Sequence, residues 1–132
     1  MLNLRELDVL AILWAKEEPL TAVEIVEGKK GLTQSTVTAV LRALLKKELV
    51  EVDGVTHSGK VLSRTYRPTQ KSVAAIVDHL KEDYQRVSDV ISPSELCMKI
   101  IEMTGEKDKL TKKEITKLKN FIKEYEKKRD DE

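Results

Sequence analysis

A single cysteine, Cys97, excludes a disulfide within the chain. Two histidines, His57 and His79, with no cysteine cluster are too few for a structural zinc site, so no metal and no cofactor is expected. Aromatic residues are only 4% of the chain, so a core has to be built from Leu, Ile and Val. No apolar run approaches the roughly 18 residues that a membrane span needs. The start, Met1-Leu2-Asn3-Leu4-Arg5, lacks the basic segment and small-residue cleavage site of a signal peptide. The expected location is therefore the cytoplasm. No Gly-rich phosphate loop, no Ser- or Cys-His arrangement and no usefully spaced carboxylate pair is present, so an enzyme is not expected.

What the chain does have is charge and aliphatic periodicity. Of its 132 residues 36% are charged and 40% hydrophobic, a balance that fits long, surface-exposed helices. The net charge of +1 says little, but its distribution is uneven. Residues 31–70 carry Arg42, Lys46, Lys47, Lys60, Arg64 and Arg67 against Glu48, Glu51 and Asp53, a local excess of +3, whereas residues 1–30 stand at −2.

Asn3 with Glu6 three residues on marks the start of a first helix that ends near Lys16, ahead of Pro19. Leu20 reads as a one- or two-residue strand. Thr21 and Glu24 start a second helix, and Gly28 and Gly31 bracket a basic turn, with Gly31 suited to positive φ. A third helix follows Thr33 as N-cap and runs to about Glu48. Val37, Val40, Leu41, Leu44 and Leu45 form its apolar face; Ser35, Thr38, Ala39, Arg42 and Lys46 lie opposite. In residues 49–68, Val50 and Val52 alternate with Glu51 and Asp53, and Val61 to Tyr66 form a second β-prone run. Asp53-Gly54 and Ser58-Gly59 are turn pairs, which gives an antiparallel hairpin with His57 and Lys60 at its tip.

After Pro68 the pattern is helical again. Val73, Ile76, Val77, Leu80, Tyr84 and Val87 form one long stripe. Ser92-Pro93-Ser94-Glu95 starts another helix carrying Leu96, Ile100 and Met103. Gly105 to Lys109 reads as a charged loop. Thr111 and Glu114 start a last helix with Ile115, Leu118, Ile122 and Tyr125 at 3-4-3 spacing, and the tail from Lys127 to Glu132 is expected to fray. Trp14 and Tyr66 read as core residues, Cys97 as a buried packing thiol, His57 as an exposed turn residue and His79 as a surface or interface residue. The expected fold is mainly α: a winged helix-turn-helix of three helices and a β-hairpin wing in residues 1–70, then a helical dimerisation region in residues 71–132. The later stripes are too narrow to build a core alone, and narrow stripes are completed by a partner chain.

At this point the chain resembles a known family. LRELDVLAILWAKEEPLTAVEIV, then LTQSTVTAVLRALLKKELVEV, then SRTYRP, with LTKKEITKLKNFI near the end, resemble the penicillinase repressor family. The likeness covers nearly the whole chain. It implies a DNA-binding transcriptional repressor that acts as a homodimer on a palindromic operator, with C-terminal helices interlocking the subunits. Two departures are plain. Members that respond to β-lactams are cleaved, through a sensor protease, at an Asn-Phe bond in the helix before the last; Lys99-Ile100 stands at the matching place here. Copper-responsive members carry Cys-x-Cys pairs near the C-terminus, and this chain has none. The inducing signal and a regulatory protease as partner stay open.

The expected contacts to double-stranded DNA follow from the third helix and the wing. Thr33, Ser35 and Thr36 sit at the helix N-terminus, where backbone amides favour phosphate. Thr38 and Ala39 suit base edges or a thymine methyl, and Arg42 suits guanine O6 and N7. Lys46, Lys47, Lys60 and Arg64 suit phosphates. The same residues also fit a solvated amphipathic helix, and a winged helix that binds another protein is the competing reading. The expected dimerisation residues are Val77, Leu80, Tyr84, Leu96, Ile100, Ile115, Leu118 and Ile122.

Overall fold

The structure, a computed structural model, describes residues 2–105 and 109–131. The elements are α1 (Leu4–Ala15), β1 (Leu20–Thr21), α2 (Ala22–Glu27), α3 (Gln34–Lys46), β2 (Val50–Ser58), β3 (Val61–Pro68), α4 (Lys71–Val87), α5 (Pro93–Glu102) and α6 (Lys112–Asp130). Short-range chemistry sets most of the helix starts. Asn3 with Glu6, Thr21 with Glu24 and Thr111 with Glu114 each form a reciprocal capping box, and Ser92 caps α5 with Pro93 in its first turn.

The strands form an antiparallel sheet in the order β1-β3-β2, with Leu20 opposite Tyr66 and Val50 opposite Pro68. Together with α1–α3 it makes the expected winged helix. Asp53-Gly54 is not a turn, as the sequence had it. The strand runs on through it to Ser58, and the register shifts between Val52 and Gly54 as a β-bulge. A glycine pair serves a bulge as well as a turn. The reversal is made at Gly59-Lys60, with Gly59 at φ 67°.

Two compact units divide the chain after Gln85. In the first, Val9, Leu10, Leu13, Leu20, Ile25, Val37, Leu41, Leu44, Leu49 and Val50 form the core. Gly28 lets α2 approach α1 closely, since a Cβ there would lie 2.8 Å from Ile12 Cγ2. α4 belongs largely to this unit. Its Ser72 and His79 are buried, and Ala75 and Ile76 pack toward the core. The Trp14 indole N–H donates to Ser72 Oγ at 2.8 Å, and Ser72 Oγ donates to the Thr69 carbonyl at 2.6 Å. Trp14 is thus a polar tie at the rim, 41% exposed, rather than a core residue; Tyr66 does pack against the core.

In the second unit α5 and α6 bury none of their described side chains. Cys97 is accordingly exposed, not a buried thiol. α6 continues through Lys127 to Asp130, so most of the charged tail is drawn into the helix. Of the charged loop, residues 106–108 lie outside the described residues, as does Glu132 at the end of the tail.

Candidate nucleic-acid interface

The candidate reading helix is held at both ends by its own sequence. Thr33 Oγ1 accepts from the Thr36 backbone N–H at 3.2 Å, donates to Thr36 Oγ1 at 2.9 Å and lies 3.3 Å from Ser35 Oγ. Gly31, at φ 94°, makes the turn into this cap. At the other end the Leu49 N–H donates to the Leu44 carbonyl and the Glu48 N–H to the Leu45 carbonyl. That is a Schellman closure, and it puts Glu48 at φ 63°, where glycine is usual.

Val37, Val40, Leu41 and Leu44 anchor α3 in the core. Ser35, Thr38, Ala39, Arg42 and Lys46 are exposed on the opposite side, as their spacing predicts; Thr36 is half-buried against its cap. Depressions flank this exposed face. On the wing side Thr38, Arg42 and Arg64 converge on a hollow floored by Ala22, Leu41, Leu45 and Tyr66. On the α1 side Thr36 and Ala39 meet Asn3, Leu4 and Arg5 in a shallower one.

The other basic residues differ in availability. Lys46 is exposed in the last turn of α3. Lys47 donates to Glu6 Oε2 at 2.8 Å, and Glu6 is only 1% exposed, so this ammonium is held by α1. Lys60 sits in the exposed wing turn beside Gly59, well along the hairpin from Arg64. Arg67, which the sequence groups with the basic excess, is engaged by Glu51 at 2.6 Å and Asp53 at 3.1 Å. The hydrogen bond that Arg67 Nε donates to Glu51, then the charge of Glu51, hold the guanidinium pKa above its ordinary value. His57 is exposed, as expected, but it lies within β2 opposite Leu62 and not in the turn. His79 is not at the surface: it is buried on the inner side of α4, with Nε2 3.2 Å from Asp83 Oδ2.

The residues expected at a dimer contact fall on exposed apolar faces. On α4, Val73, Val77, Leu80 and Val87 are exposed, and with half-buried Tyr84 they follow 4-3-4-3 spacing on the face adjoining Ser72, Ile76 and His79. In the second unit Ile100, Ile115, Leu118 and Ile122 are exposed and Leu96 is half-buried. Ile100 and Leu118 line an apolar hollow with Cys97, Ile101 and Phe121.

Sequence reasoning missed several features. The Glu6–Lys47 pair spans 41 positions and the Trp14–Ser72 bond 58, beyond any local pattern. Asp8 binds Arg5 at 3.3 Å and Lys29 at 2.7 Å, which holds its carboxyl below the usual value, the Lys29 hydrogen bond acting most strongly. An i,i+3 Arg-Asp spacing hints at half of that cluster. Val55, Val61 and Leu62 stand exposed on the wing, on both of its faces, which a run of β-prone residues does not reveal. An Asn-Phe pair does occur, at Asn120-Phe121, but on α6 and not at the place in α5 that the family resemblance points to.

Among the described residues no cluster of His, Cys, Asp or Glu is arranged to hold a metal, and no helix is long and apolar enough to cross a membrane. Solved structures similar to this chain include a PadR family transcription regulator from Clostridium difficile R20291, at 15% identity and a TM-score of 0.49, covering 67% of this chain and 94% of that one. A MarR family regulator from Neisseria meningitidis is 25% identical at a TM-score of 0.46, covering 98% and 80%. A zinc-responsive MarR family member from Lactococcus lactis is 24% identical at 0.45, covering 77% and 73%. No curated protein matches the chain. The family model described as penicillinase repressor matches residues 3–124, which takes in every element of the winged helix, α4, α5 and most of α6. With a capped, outward-facing third helix beside a hairpin wing, and a family match over nearly its whole length, the chain belongs to the penicillinase repressor family of transcription regulators.

Proposed function

We propose that this protein is a sequence-specific DNA-binding repressor that acts as a homodimer on a palindromic operator. The observation that carries the reading is the convergence of Thr38, Arg42 and Arg64 on one hollow beside the exposed face of α3. A helix lying in a major groove needs a reader on its face and a cation toward the adjoining backbone, and this arrangement supplies both. In the proposal Ser35, Thr38 and Ala39 meet base edges and Arg42 takes guanine. Thr33 and Thr36 shape the helix N-terminus toward a phosphate, and Lys46, Lys60 and Arg64 take phosphates. Lys47 contributes charge from its place on Glu6. Residues 1–70 bind DNA and residues 71–132 pair the subunits through Val77, Leu80, Tyr84, Leu96, Ile100, Ile115, Leu118 and Ile122. The support for pairing is that so many large aliphatic side chains are exposed in a single chain.

Release by cleavage in α5 or by copper on Cys-x-Cys pairs is not part of the proposal, because neither signature stands where it is needed. The test is a gel shift with the fragment upstream of its own gene, together with light scattering. A retarded fragment whose log affinity falls linearly with log salt, and a dimer, are expected. No retardation at low salt, or a monomer, overturns the reading. Exposed Val55, Val61 and Leu62 on the wing favour a second reading, a winged helix that docks on another protein. A stoichiometric partner lost on Leu62→Ser, with no DNA retardation, would establish it.

A further inference from the structure

A helix in a major groove has a sugar-phosphate strand on each side. Arg64 serves the wing side, and the residues assigned so far leave the α1 side without a cation. There Arg5 borders the hollow that contains Thr36 and Ala39 of α3. Arg5 Nη1 and Lys29 Nζ share the carboxylate of Asp8, and both cationic side chains are about half-exposed, 48% and 50%, whereas Asp8 is 20% exposed. Two cations on one carboxylate leave a net positive charge facing solvent, and Lys30 follows directly in the exposed turn. This turn leads into the N-terminus of α3, whose first amides have no partner within the helix and favour an anion.

We propose that Arg5 and Lys29, held together by Asp8, bind a backbone phosphate of the DNA strand on the α1 side of the reading helix. The inference rests on the DNA-binding reading and adds the contact opposite the wing. Arg64 on one strand and the Arg5–Lys29 pair on the other would bracket α3, so that rotation of the helix within the groove is resisted from both sides. Phosphate contacts of this kind fix register without reading sequence.

The test uses the full-length protein and a duplex of about 30 base pairs cut from the fragment it retards, followed by fluorescence anisotropy across a salt series. Arg5→Ala should weaken binding about tenfold or more at 0.1 M salt and make the slope of log affinity against log salt shallower by about two per dimer. Lys29→Ala should act in the same direction, and Arg5→Lys should keep most of the slope. Lys16→Ala, at the other end of α1, is the control and should match wild type. A methylphosphonate placed at the contacted phosphate should abolish the difference between wild type and Arg5→Ala. Melting of each free variant well above the assay temperature separates a lost contact from a folding effect. If Arg5→Ala and Lys29→Ala bind within twofold of wild type at an unchanged slope while Arg64→Ala binds weakly, the inference is overturned and DNA binding stands. If the wild-type protein retards no fragment, the DNA-binding reading itself has failed.

Discussion

The Glu6–Lys47 pair makes an asymmetric prediction about stability. Glu6 is 1% exposed and serves two partners: Oε1 accepts from the Asn3 N–H at 2.9 Å, and Oε2 accepts from Lys47 Nζ at 2.8 Å. The Lys47 side chain is 38% exposed, so its ammonium can turn to water when the partner is lost. Glu6→Gln keeps an oxygen for Asn3 and frees a lysine that water can solvate, at a cost of about 1 kcal/mol. Lys47→Met instead strands a buried carboxylate. Breaking a fully buried pair in that way costs about 3–5 kcal/mol, and the half-open lysine side reduces this to about 2–3 kcal/mol. The double variant should then be more stable than Lys47→Met alone by about 1–2 kcal/mol, since it removes the stranded charge. The assay is urea unfolding followed by circular dichroism at pH 7, with protomer concentration held fixed because a dimer's stability depends on it. If Lys47→Met costs less than about 0.5 kcal/mol, as an ordinary surface lysine would, or if the two single costs simply add, the reasoning is refuted.

Three further outcomes are expected. Asp8 has a folded pKa below its unfolded one, so the stability it supplies is fully present above about pH 4 and is lost as pH falls through the folded value. The difference in melting temperature between wild type and Asp8→Asn should shrink on acidification; a constant difference would mean that Asp8 is not held by its two cations. Glu48→Gly should raise stability by about 0.5–1 kcal/mol, because the residue stands at φ 63° in the closure of α3; a drop in the urea midpoint would refute that account. Leu118→Asp with Ile122→Asp should give a helical monomer by light scattering and circular dichroism, with operator binding at least about tenfold weaker. A variant that stays dimeric removes α6 from the interface.

The elements were legible in the sequence wherever the determining interaction is local. Asn3-Glu6, Thr21-Glu24 and Thr111-Glu114 act over three positions, and each was readable as a helix start. Asp53-Gly54 was misread because a turn pair and a bulge draw on the same residues, and the pairing of β2 with β3 decides between them. The α4 stripe was visible, but its division was not: Ile76 turns inward with Ser72 and His79, while Val73, Val77 and Leu80 turn outward. Two apolar groups on adjoining faces of one helix give a single broad pattern. The candidate site was legible as a face, since spacing alone puts Ser35, Thr38, Ala39 and Arg42 together. Of its flanks the wing cation Arg64 was legible too, but Arg5 was not, because Arg5 reaches α3 only through the fold.

Availability, more than residue type, sets how such a chain can bind DNA. By composition α3 ends in three cations, Arg42, Lys46 and Lys47; by structure Lys47 is tied to Glu6, and Arg67 of the wing is neutralised by Glu51 and Asp53. What remains around the helix is a sparse set: Arg42 and Lys46 on it, Arg64 and Lys60 on the wing, and Arg5 with Lys29 on the other flank. Each phosphate contact contributes through the release of about one counterion, so under the proposed reading a single copy would bind with modest, strongly salt-dependent affinity. Doubling the set is the economical remedy, because the second half-site is then met at an effective concentration of about millimolar rather than from bulk solution. The exposed 4-3-4-3 stripe of α4 and the exposed apolar side chains of α5 and α6 are what the proposed doubling would use. In the proposed homodimer the weak basicity of the reading helix and the exposed apolar faces of the C-terminal helices would serve one end, since pairing would then set how tightly the operator is held.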